Sequence, residues 1–273
     1  MGPSSENVGN ARKSSQSPSD LEIWLVNDDP AQLLVQKRLL GRFAATVWEF
    51  SSPDEVVSQA QKYGSCPNLV SDFHMPGMNG MELARIWCEL HGNARVLLVS
   101  ASNLSVDEEK EALFLPNNHV KFLPSFSLNE LITTAHEWFV GESDEIQEDE
   151  FTENGSGLLH FDGNVHSKLV VLGGNAFLKK ALQRFADRLP GRMESCREAL
   201  DVNDYRSVHR EAHSLKGSCG IVGATSMLEL ADQLESAAQR EESSEALSEI
   251  LGEIKREWES SAAELQQVLN SLD

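Results

Sequence analysis

Up to about residue 139 the chain alternates two kinds of apolar pattern, and from about residue 160 only one of them continues. Short apolar runs occur at Glu22–Val26, Thr46–Phe50, Asn68–Ser71, Val96–Ser100 and Val120–Leu123. Between and after them lie segments of helical period, at 30–42, 53–62, 79–91, 106–114 and 127–139. Strand and helix in strict alternation imply right-handed βαβ units and a parallel sheet covered on both faces. The first fold expected is therefore α/β, a doubly wound five-stranded parallel sheet whose functional edge lies at the carboxyl ends of the strands.

Beyond residue 160 apolar residues recur at helical spacing alone. They run Phe177, Leu178, Leu182, Phe185, Leu189, then Met193, Cys196, Leu200, and later Leu228, Leu230, Leu234, Ala237. Leu247, Ile250, Leu251, Ile254, Trp258, Leu265, Val268 and Leu269 complete the series. This predicts an all-α bundle, with Pro190–Gly191 expected to break or kink one helix. The seven acids between Gly141 and Gly157 repel one another and predict an extended linker. Residues 1–20, rich in Ser, Asn, Gly and Pro, read as a disordered tail. The expected organisation is a tail at 1–20, an α/β domain at 21–140, a linker at 141–159 and a helical domain at 160–273, with no internal repeat.

Charge narrows the function. A net charge of −20 repels phosphate backbones, which argues against direct nucleic-acid binding. Cys66, Cys88, Cys196 and Cys219 form no CxxC or zinc-like spacing and read as small apolar residues in a reducing compartment. With no apolar stretch typical of a signal peptide and no run long enough to span a bilayer, the chain is expected to be cytoplasmic, without membrane contact.

Three strand ends carry candidate chemistry. Asn27, Asp28 and Asp29 follow the first strand, Asp72 follows the third, and Ser100 closes the fourth. In a parallel sheet these ends share one edge. Carboxylates converging there make a hard-oxygen site suited to Mg²⁺, with one of them able to attack phosphorus. Asp29 before Pro30 is also a good helix N-cap, and that is the reading preferred for it. Asp72 precedes Phe-His-Met-Pro-Gly-Met-Asn-Gly, a loop rather than a cap.

The string LVSDFHMPGMNGMELAR resembles the phosphoacceptor loop of response-regulator receiver domains, whose fold is flavodoxin-like, and the resemblance covers about residues 21–140. It implies that Asp72 is the phosphorylatable carboxylate. Asp28, Asp72 and the backbone carbonyl of His74 would hold Mg²⁺, and Ser100, with Ala101 beside it, would sense the phosphoryl group. The His74 side chain is expected to face solvent. Two positions depart from the family. Asn27 stands where an acid is usual and could still hydrogen-bond a metal-bound water. Leu123 precedes Pro124 where the family has a lysine. Lys121 lies on the same strand face, roughly 6–7 Å away. Two readings of this domain follow: a receiver phosphorylated at Asp72 with altered switching, or a docking module that works without phosphorylation.

The helical domain holds DYRSVHREAHSLKGSCGIVGA. His209 and His213 share a helix face, but Arg210 stands where a zincin would carry Glu, and no third ligand is apparent. Lys216 lies one turn beyond His213, positioned to pair with a phosphoryl group on the imidazole. Gly217 leaves a bare patch that lets another chain approach. AHSLKGSCGIVGA resembles the histidine-phosphotransfer signature over about residues 160–270. That resemblance implies a four-helix-bundle Hpt domain with an exposed phosphoryl-carrying His213, assisted by Lys216 and Ser218, and with His209 as a surface or docking residue.

No Gly-rich ATP loop is present, so a phosphotransfer carrier is expected rather than an ATP-using kinase. The partners implied are a sensor or hybrid histidine kinase and a downstream response regulator. The rival reading is a phosphorylation-independent docking protein. A further expectation is that the linker lets the two domains pack face to face and occlude His213.

Overall fold

The computed structural model describes residues 20–63, 67–101, 119–124, 127–141 and 159–272. The tail at 1–19, Cys66, the expected helix at 106–114 and the acids of the linker lie outside these residues.

Five strands form the N-terminal sheet: β1 (Glu22–Val26), β2 (Thr46–Phe50), β3 (Asn68–Asp72), β4 (Val96–Ser100) and β5 (Val120–Pro124). Their order is β2-β1-β3-β4-β5, all parallel. Helices α1 (Pro30–Leu40), α2 (Pro53–Ala60), α3 (Gly80–Leu90) and α4 (Leu128–Phe139) pack around it. Helix starts are written locally. Asp29 caps α1 through the amides of Ala31 and Gln32, with Pro30 in the first turn. Asn79 with Glu82, and Ser127 with Glu130, form capping boxes at α3 and α4. The central strands β3 and β4 are buried throughout, as a sheet covered on both faces requires. On one face Trp24, Phe50, Phe73 and Trp87 share a core with Met81 and Leu83 of α3.

The C-terminal half is helical: α5 (Gly163–Gly173), α6 (Asn175–Asp201), α7 (Tyr205–Val222), α8 (Thr225–Gln239) and α9 (Ser244–Ser271). Helix α7 packs on α6 and α8, and α9 closes the bundle against α6 and α8. A bridge from Phe161 to Ala224 anchors its start. The expected break at Pro190 does not occur, and α6 continues through it. Phe185 and Leu189 before the proline, and Cys196 and Leu200 after it, are all buried on the bundle side, so packing outweighs the lost backbone bond.

The two halves share one hydrophobic core. Leu33, Val35 and Leu39 of α1 lie in the same buried cluster as Leu182 and Leu189 of α6 and Leu215 of α7. Polar contacts reinforce it: Arg184 donates to the carbonyl of Pro30 at 2.9 Å, and Arg38 to that of Leu172 at 2.9 Å.

Gly80 fixes the loop after β3. Its amide donates to the Phe73 carbonyl at 2.9 Å. A Cβ there would run into the Asp72 carbonyl oxygen and lie 2.9 Å from Phe73 Cα, both backbone. Gly80→Ala is expected to lower unfolding free energy by about 1–3 kcal/mol, the range for overpacking, measured by denaturant titration.

Candidate functional site

The carboxyl edge of the sheet gathers Asp28, Asp29, Asp72 and Ser100, as expected. Asp72 is buried, and its Oδ1 accepts the Phe73 amide at 2.8 Å. Burial, aided by the charge of Asp28, pushes its carboxyl well above the usual range. Asp28 is also held up, by burial first, although Arg192 pulls the other way. Asn27 is turned into the β1–α1 junction. Its Oδ1 accepts the Asp29 amide at 2.8 Å, and its Nδ2 donates to Gln32 and Gln36, each at 3.4 Å. That set of bonds engages its amide within the turn rather than toward a metal-bound water.

The helical bundle lies directly on this edge. His213, exposed in the bundle that the resemblance implies, is 1% exposed, because the α/β domain covers it, which is the face-to-face occlusion also expected. Its Nε2 is 3.1 Å from Ser100 Oγ, and the Ala101 amide donates to the same nitrogen at 3.3 Å. Its Nδ1 is 2.6 Å from Glu235 Oε1. The His74 ring, expected to face solvent, is half-buried. It packs 4.0 Å from the His213 ring, and the His209 ring lies 5.7 Å from it.

Electrostatics fix the state of this imidazole. Burial pushes His213 down to about 4, against the hydrogen bond that its Nδ1 donates to Glu235. Burial works to raise Glu235, but the bonds from His213 and Lys216 outweigh it and hold it at about 2. At neutral pH Glu235 is thus an acceptor only and His213 is neutral. The proton sits on Nδ1, and Nε2 presents a lone pair. Lys216 donates to Glu235 Oε2 at 2.9 Å and to Asp232 Oδ1 at 2.7 Å. At Gly217, a Cβ would meet Gln32 Nε2 at 2.8 Å and Ala101 Cβ at 3.2 Å. The bare patch is therefore filled by α1 and the end of β4.

A second buried cluster ties the halves together. Arg192 of α6, 2% exposed, donates from Nη2 to Asp28 Oδ2 at 3.3 Å and to Asp29 Oδ2 at 3.2 Å. Its Nη1 donates to Glu211 Oε2 at 3.1 Å. Ser218 Oγ donates to Asp29 Oδ2 at 2.7 Å. Asp29 is therefore both the helix cap expected and an interdomain acceptor. Lys121 does not reach the site: its ammonium lies 6.0 Å from the Trp138 ring centroid. The alternation of β5 aims it at α4.

Residues 180–271 match the family model of the Hpt domain. The helical bundle is an Hpt domain. The β2-β1-β3-β4-β5 order is the flavodoxin-like order, and with the Asp72 loop it makes the N-terminal half a receiver-type domain. The chain is 20% identical over 238 residues, 87% of its length, to the aerobic respiration control sensor protein ArcB of Escherichia coli strain K12 and of Shigella flexneri. It spans 30% of the length of those relatives. Among solved structures, Vibrio cholerae chemotaxis protein CheY4 is 18% identical with a TM-score of 0.38, over 44% of this chain and 98% of that one. A response regulator receiver protein from Sinorhizobium medicae is 19% identical with a TM-score of 0.38, over 44% of this chain and 94% of that one.

Sequence reasoning missed Arg192, Glu211, Glu235 and Gln32. For Arg192 a signal was present. It falls between Leu189 and Cys196 on the apolar stripe of α6, where an unpaired charge is not tolerated. Glu211 is placed the same way on α7, between Val208 and Leu215. Glu235 is placed the same way on α8, between Ala231 and Ala238, but only the packing of α8 on α7 names His213 as its partner.

The docked arrangement should depend on pH through His213. A histidine with a lowered value binds its proton less well when docked. Docking is therefore at full strength above the ordinary 6.5 and weakens as pH falls toward about 4. An NMR titration is expected to give His213 a midpoint near 4. A midpoint near 6.5 would mean that the imidazole stands in water.

Proposed function

We propose that the chain is a two-component phosphorelay protein in which His213 carries a phosphoryl group to and from receiver aspartates, Asp72 among them. The supporting observation is the delivery of a neutral Nε2 lone pair to Ser100 and Ala101, at the sheet edge that holds Asp72. In the transfer step the Nε2 lone pair attacks phosphorus. The bond from phosphorus to the Asp72 oxygen breaks, and the carboxylate leaves with the electron pair. Glu235 keeps the Nδ1 proton in place and stabilises the charge that develops on the ring. The reverse step regenerates the neutral imidazole. In the docked arrangement the Ser100 hydroxyl and the Ala101 amide, donors suited to a phosphoryl oxygen, are engaged by Nε2, so this is a resting state.

The residues fit a Mg²⁺ ion. Among the described residues Asp28 Oδ1 is buried without a hydrogen-bond partner, and Asp72 lies beside it. Asp28, Asp72 and the His74 carbonyl would hold the ion, which when bound offsets charge on the acceptor and the phosphoryl group. In this reading a sensor or hybrid histidine kinase supplies phosphate, and a response regulator takes it from His213. Among the described residues no helix is long and apolar enough to cross a membrane.

A docking role without phosphorylation of the receiver is favoured by one observation. Leu123 replaces the family lysine, and Lys121 packs toward Trp138. Site mapping separates the readings. Wild type, Asp72→Asn and His213→Gln are treated with phosphoramidate and Mg²⁺, and labelled residues are located by mass spectrometry under conditions that keep both phosphohistidine and acyl phosphate. Label is expected at both residues, with the Asp72 label lost when Mg²⁺ is removed. Label at His213 alone would make the receiver-type domain a docking module, and label at neither would overturn the proposal.

A further inference from the structure

The acid site of the receiver-type domain has no cation of its own from β5, and the guanidinium that meets it belongs to the Hpt domain. Arg192 Nη2 bridges Asp28 Oδ2 and Asp29 Oδ2. Arg188, one turn earlier on α6, comes within 4.0 Å of the same Asp28 oxygen. Yet the charges are not matched. Asp28, Asp29 and Glu211 surround the Arg192 guanidinium, and among the described residues Arg192 Nε has no hydrogen-bond partner and Asp28 Oδ1 is buried without one. This buried, unpartnered carboxylate oxygen points to a second, cationic occupant.

We propose that Arg192 is the resident counter-cation of the acid site, so that a divalent cation at Asp28 and the docked Hpt domain exclude each other. The inference rests on the docked arrangement as a resting state. A divalent ion coordinated by Asp28 and the guanidinium would be like charges on one desolvated carboxylate, an arrangement the low-dielectric interior penalises. The exchange is eased by Glu211. It travels with Arg192 on the bundle and remains bonded to Nη1, so the departing face carries its own ion pair. Asp29 keeps the α1 amides as partners after Arg192 leaves. Metal binding thereby frees His213, and docking protects the chain from a metal-loaded receiver in the resting state. Arg192 thus acts as a positioning residue that sets which of two arrangements the acid site supports.

The test uses the full chain with a fluorophore pair on the two domains, at constant ionic strength. Mg²⁺ is titrated while domain separation is followed by energy transfer and binding by calorimetry. Wild type is expected to separate as Mg²⁺ binds. Arg192→Met is expected to be separated before Mg²⁺ is added and to bind it at least about 10-fold more tightly, the equivalent of one lost competing contact. Arg192→Lys, which keeps the charge without the fork, should fall between, and circular dichroism confirms that each variant is helical. Mg²⁺ saturation with unchanged separation in wild type overturns the inference whatever the variants do. So does equal affinity in wild type and Arg192→Met, or binding in neither. Those outcomes leave the docked His213 intact. A wild type already separated without Mg²⁺ overturns the docked resting state itself.

Discussion

Three carboxylates from two different folds converge on one guanidinium that water does not reach, and a charge so far from solvent must be matched where it stands. Asp28 and Asp29 come from the end of β1, Glu211 from α7, and Arg192 from α6. Breaking a buried pair by moving one partner is strongly unfavourable, whereas moving the pair together is not. The register of the Hpt domain on the sheet edge follows from this. With Arg192 on Asp28 and Asp29, α7 lies over β4, and His213 meets Ser100. The shared apolar core of α1 and α6 contributes adhesion, and the ion cluster both holds and aligns the docked face, because without Arg192 three buried carboxylates would be left unmatched.

The imidazole is controlled from both sides by different means. Its own domain fixes the tautomer through Glu235, itself oriented by Lys216. The receiver-type domain takes up the lone pair with two donors. An imidazole in that position is prepared for the proposed transfer but already engaged. Lys216, which by spacing alone stands ready for a phosphoryl group, acts in this arrangement through the carboxylate that orients the ring.

Much of this was legible in the sequence. Short apolar runs and period-3.6 patterns located every described strand and receiver helix to within about two residues, because a parallel sheet buried on both faces leaves little freedom in where apolar residues fall. The caps at Asp29, Asn79 and Ser127 are local chemistry and were equally readable. At Pro190 the backbone rule allowed a break or a kink, and long-range packing excludes the break. Burial of His213 depends on a contact between segments more than 100 positions apart, as does its bond to Ser100. No local pattern encodes that. Arg192 lies between these cases: its place on an apolar stripe marks it as buried, but not the domain whose acids bury it.

The contact at Gly217 bears on how fast such a chain can respond. Gln32 of α1 fills the gap beside His213, and Ala101 closes it from the other side. On the proposed function, an outside receiver that approaches His213 would have to occupy that same gap. The chain's own domain therefore competes at unimolecular advantage, and only molecules that have opened can be engaged. If about 1% of molecules are open, any partner's apparent affinity is weakened about 100-fold relative to its intrinsic value. Throughput to a downstream protein is then set by a folding-type equilibrium within this chain, and selection can tune it at α1 without altering the histidine or its chemistry.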